Sequence, residues 1–96
     1  MSLTVRKGAY IPGTVQNITT TGSSQQSSAV GAGSSIIRVA VNQDTYIAVG
    51  ANPTATTSSM MMPAGAVEFL AVTGGVTKVA VLQVSSAGVV SITELA

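Results

Sequence analysis

The sequence predicts an all-β protein: a small antiparallel two-sheet sandwich, with a small open β-barrel as the alternative, carrying an extended N-terminal arm. Three observations point there. No stretch of ten residues keeps a 3.6-residue apolar period, and β-branched side chains dominate the apolar set. Short alternating runs are separated by Gly, Ser, Pro and Asn, the pattern of many short strands. The third observation is residues 66–84, AVEFLAV-TGG-VTKVAVLQV, where Gly74-Gly75 supplies the two-residue signature of a primed hairpin turn. A hairpin in that register sets Phe69 beside Ala80 and Ala71 beside Lys78. Both its faces are largely apolar, so it is expected at the centre of a sandwich or beneath a second subunit.

The remaining elements follow in chain order. Residues 1–13 hold Val5, Tyr10 and Ile11 and end on the turn pair Pro12-Gly13. Strands near residues 3–7 and 14–18 could complete the sandwich as edges. Residues 19–35 are almost entirely Thr, Gly, Ser, Gln and Ala, with little to bury. They are expected to be mobile in the free protein or laid as an arm on a partner, with paired strands of the same chain as the alternative. Residues 1–35 are therefore read as an N-terminal arm or edge-strand region, and 36–96 as the β-sandwich domain. In IIRVAVN, Ile37, Val39 and Val41 share one face; in TYIAVG, Thr45, Ile47 and Val49 do. These two runs read as a second hairpin, closed by a turn at Asn42 to Thr45. Residues 50–59 form a loop, Met60 to Met62 an extended apolar patch before Pro63, and VVSITEL a closing strand with Val90 and Ile92 on one face.

Composition narrows the function. Gly, Ala, Ser, Thr and Val supply 61 of 96 residues, and seven side chains are charged for a net +1. Soluble domains carry charge on roughly a quarter of their residues. So low a charge implies either a surface buried against neighbours, which is the expectation, or one rich in uncharged Ser and Thr. A dimer or trimer is expected. No enzyme is expected: there is no histidine or cysteine, and the carboxylates Asp44, Glu68 and Glu94 lie on separate segments. No phosphate-loop or calcium-loop spacing occurs, so neither cofactor nor metal is expected. Four basic residues with few aromatics give no nucleic-acid footprint, and Arg6-Lys7 reads as a solvated flank. No signal peptide or membrane-spanning run is apparent.

The residues offered for partner contact are Met60, Met61 and Met62, read either as core filler or as a soft adaptable surface, and Leu70 and Val81 on the central apolar strands. Glu68 joins them, a carboxylate in an otherwise apolar strand, read as solvent-facing or, as the alternative, paired with Arg38 or Lys78 within or between subunits. An Asp at Leu70 or Val81 should then cost several kcal/mol of fold or assembly stability.

Six segments also carry a resemblance: Tyr46 to Gly50, Asn52 to Thr56, Met60 to Gly65, Val67 to Val72, Lys78 to Val81 and Ile92 to Glu94. Their order and wording resemble short all-β structural proteins encoded among the virion genes of tailed bacteriophages. The methionine run stands where leucines are expected, and residues 1–35 have no counterpart. The resemblance implies a capsid decoration or cement protein bridging major capsid subunits in a virion assembled in the host cytoplasm, without catalytic residues. The other readings are a minor head-tail or tail protein, and a carbohydrate- or receptor-binding β module.

Overall fold

A computed structural model describes residues 10–95, which form eight strands and no helix. They are β1 (Pro12–Thr19), β2 (Gln25–Gln26), β3 (Ile36–Val41), β4 (Thr45–Gly50), β5 (Met60–Met62), β6 (Val67–Ala71), β7 (Lys78–Gln83) and β8 (Val89–Leu95). Two four-stranded sheets result, ordered β1-β8-β3-β6 (sheet A) and β2-β7-β4-β5 (sheet B). Every pairing is antiparallel. The sheets do not close on each other, so the sandwich is the architecture and the barrel is not. Eight strands in this order make the two interlocked Greek keys of a jelly roll.

The core lies between the sheets and follows the period-2 rule. Ile37, Val39 and Val41 of β3 join Val90 and Ile92 of β8 from sheet A. Ile47, Met62, Val79 and Val81 meet them from sheet B. Leu70 and Val72 pack against this cluster from the edge. The β3 face and the β8 face are as the alternation predicts.

Neither expected hairpin exists. β6 pairs with β3 in sheet A, whereas β7 pairs with β2 and β4 in sheet B. Likewise β3 and β4 lie in opposite sheets. The physical reason is coverage: the apolar rows of β3 and β4 bury each other across the core, which they could not do side by side. The Thr73-Gly74-Gly75 segment is thus an arch between sheets. Thr77 N–H donates to Thr73 C=O (3.0 Å), and Thr73 N–H donates to Thr77 Oγ1 (2.8 Å). Gly75 sits at φ 81°, the left-handed region that glycine enters without penalty. A Cβ on Gly74 would meet the carbonyl oxygens of Ala32 and, at 2.6 Å, Gly31. Glycine is needed here for close approach as well as for the turn.

What the arch approaches is the 19–35 segment, and the free-arm expectation for it is corrected. Thr20 N–H donates to Gly88 C=O and Gly88 N–H to Thr20 Oγ1, both at 2.8 Å. β2 pairs with β7, and beyond it Ser27 N–H donates to Val79 C=O (2.8 Å) while Val79 N–H donates to Ser27 Oγ (2.9 Å). Val30 is 1% exposed within the core cluster, and its carbonyl accepts Gly75 N–H at 2.7 Å. One apolar side chain and a series of hydroxyl-to-backbone bonds hold a segment whose composition looked unstructured. The strand expected at 14–18 is β1, at the edge of sheet A. The one expected at 3–7 and the Arg6-Lys7 pair lie outside the described residues.

Two substitutions probe this packing. Ser27→Ala strands the buried Val79 N–H and should cost roughly 1–3 kcal/mol in chemical denaturation. An unchanged midpoint would mean that the Ser27 bond is not formed. Val81→Asp places a charge at a side chain that is 0% exposed and should lower stability by more than about 3 kcal/mol. Met61→Asp, at an exposed position of β5, should leave the denaturation midpoint near wild type.

Candidate functional site

The outer face of sheet A presents the largest departure from an ordinary solvated surface. Cross-strand registers align Val15 of β1, Thr93 of β8, Arg38 of β3 and Phe69 of β6 in one row. These residues alternate with the buried ones, so their side chains point away from the core. Phe69 is 56% and Val15 50% exposed, with Val67 exposed in the neighbouring row. Just before β1, Tyr10 brings its ring to 6.2 Å from that of Phe69, tilted at 34°. Tyr10, Pro12, Val15, Arg38, Phe69, Thr93 and Leu95 together line an open hollow of about 420 Å³.

Its chemistry is simple. Arg38 is the cation among apolar and aromatic side chains, half-buried and opposite Phe69. A planar guanidinium there can accept a carboxylate from a partner or stack on an aromatic ring. A second hollow of about 230 Å³ adjoins, lined by Ile11, Gly13, Gly33, Ser34, Glu94 and Leu95. Glu94 is occupied structurally: its Oε2 accepts Gly31 N–H at 3.1 Å. Asp44 Oδ1 similarly accepts Ala64 N–H at 2.8 Å. Among the described residues no three of His, Cys, Asp and Glu cluster as metal ligands do.

The residues predicted to contact partners are scattered by the fold. Met60 and Met61 are exposed on β5, but Met62, opposite Thr45 on the inward face, is 2% exposed in the core. Val81 is closed inside the monomer and offers no contact surface, whereas Leu70 packs half-buried against the core from the sheet edge. Glu68 is exposed on β6 opposite Val39, whereas Arg38 lies opposite Phe69. The two charges therefore leave sheet A on opposite faces; the alternative of a Glu68–Arg38 pair within the subunit is not made, and Glu68 is solvent-facing. Lys78 lies on β7 in the other sheet. Only Arg38, of the predicted set, belongs to the apolar outer face.

Tyr10, Val15 and Phe69 were not singled out from the sequence. The available signal was the parity of Phe69, opposite to that of Leu70, once β6 is known to bury Leu70 against β3. On sheet B the loop after β4 is tied to the β2 edge, while Met61, Tyr46 and Leu82 align across the rest of its outer face. Gln26 Nε2 donates to Asn52 Oδ1 (2.9 Å) and Pro53 C=O (2.7 Å), and Ala55 N–H donates to Ser24 Oγ (2.9 Å). Ala80, on the outward row beneath, is consequently 0% exposed. No protein-family model, curated protein or solved structure matches the chain.

Proposed function

We propose that this protein is a non-enzymatic structural component of a tailed-phage virion, a decoration or cement protein that bridges major capsid subunits. The observation that carries the reading is the outer face of sheet A, an exposed apolar row around one arginine on a chain with seven charged side chains. Exposed apolar patches of this kind mark protein contacts more often than solvated surface. The sequence resemblance along residues 46–94 points to the virion. Jelly rolls also serve as viral capsid domains, a fold-level analogy that adds weight without naming the site. The protein would lie on the shell with sheet A against a capsid subunit, and Arg38 would meet a carboxylate there. Many copies on a repeating lattice turn modest contacts into firm attachment. A minor head-tail or tail position would use the same face.

One observation favours a second reading. Tyr10 and Phe69 flank a hollow of a size that suits a sugar ring, and lectins also use the jelly roll. Rebinding of purified protein to virions of the encoding phage, stripped of it, tests both. Wild type should saturate the particles and raise their heat resistance, and Val15→Asp should lower occupancy at least tenfold without unfolding the protein. Full occupancy by Val15→Asp would sink the docking face. Glycan binding lost on Tyr10→Ala, with no binding to particles, would establish the carbohydrate reading instead.

A further inference from the structure

The two sheets present four edge strands, and three of them are blunted. β1 begins at Pro12, has a register shift between Pro12 and Val15, and is clasped by Gln16. The Gln16 side chain donates to Ser28 C=O (3.2 Å) and accepts Ser28 N–H (2.8 Å). β2 is two residues long, and β5 is three residues long and runs into Pro63. β6 has five residues with no proline, lysine or bulge; of the usual devices against edge pairing it carries a single charge, Glu68.

Its free groups can be identified. At the two ends of the β3 pairing, Val72 N–H donates to Ser35 C=O and Ala66 C=O accepts Val41 N–H. Antiparallel ladders alternate, so Glu68 and Leu70 also turn their backbone groups toward β3. Val67, Phe69 and Ala71 therefore point their N–H and C=O groups outward, and no described residue bonds them.

We propose that β6 is a homodimer interface, pairing antiparallel with β6 of a second copy about a two-fold axis at Phe69. The occupant follows from self-complementarity. In this register Val67 lies opposite the partner subunit's Ala71 and Phe69 opposite the partner subunit's Phe69, so every outward group on both strands is paired. Glu68 lies opposite the partner subunit's Leu70, which keeps the two carboxylates from facing each other. Centring the axis on Glu68 would set them directly opposite, a destabilising like-charge pair. Centring it on Leu70 would call on Thr73, whose N–H already donates to Thr77 Oγ1. The pairing joins two copies of sheet A into one continuous sheet and sets the two apolar outer faces side by side. It does not depend on the virion reading.

The test uses the isolated full chain, so its failure is separate from any failure to bind particles. The chain has no cysteine, which permits single-cysteine cross-linking. Residues opposite each other in a hydrogen-bonded antiparallel pair have Cα atoms about 5.5 Å apart, within the span of a disulfide. Phe69→Cys should form a covalent dimer under mild oxidation, at least tenfold faster than Met61→Cys on exposed β5. Wild type should shift from monomer to dimer with concentration in sedimentation equilibrium, and Phe69→Lys should weaken the dimer at least tenfold. A melting temperature for Phe69→Lys that matches dilute wild type shows that the fold survives. Three results would overturn the proposal: wild type monomeric up to its solubility limit, equal cross-linking at both cysteines, or hydrogen exchange showing the 67, 69 and 71 amides protected in a monomer.

Discussion

The structure depends on the chain changing sheets at two short connections, the three residues between β3 and β4 and the six between β6 and β7. Each of these strands carries an apolar row, and the described residues provide no helix to cover it. The rows can be buried only against each other, so consecutive strands must face across the core. The Gly74-Gly75 arch and the Asn42 to Asp44 bend make those crossings, and the order β1-β8-β3-β6 over β2-β7-β4-β5 follows. Among consecutive strands only β4 and β5 pair as neighbours. Most pairing therefore joins distant parts of the chain, a topology that folds more slowly than a run of hairpins.

The strands themselves were legible. Alternation locates β3, β4, β6, β7 and β8 and assigns the inward faces of β3 and β8 correctly. What was not legible is which strand pairs with which. Glycine reaches positive φ equally well in a hairpin turn and in an arch, so Gly74-Gly75 marks a reversal without identifying its type. Segment 19–35 misleads for a different reason. Its attachment rests on Val30 and on the hydroxyls of Thr20 and Ser27 acting as backbone partners, and such bonds have no compositional signature. For the candidate surface, Arg38 was identified but its apolar neighbours were not, because a row across β1, β8, β3 and β6 exists only once the sheet order is known.

That sheet order also gives the low charge a structural setting. Small side chains let the loop at residues 51–55 lie over Ala80 on sheet B, with its polar groups satisfied by Gln26 and Ser24. Among described residues, no buried side-chain polar atom lacks a partner. The uncharged surface is thus partly a covered one and partly the open face of sheet A. The row of Val15, Arg38 and Phe69 with Tyr10 beside it gives sheet A an outer face suited to attachment.

All of this requires β6 to lie at the edge of sheet A beside β3, which exposes Phe69 next to Arg38. Backbone nuclear Overhauser effects from Phe69 in a labelled sample test that placement directly. The account predicts cross-strand contacts between Phe69 and Arg38, with none between Phe69 and Ala80. Contacts from Phe69 to Ala80 would restore the hairpin and contradict the sandwich order on which the exposed face depends.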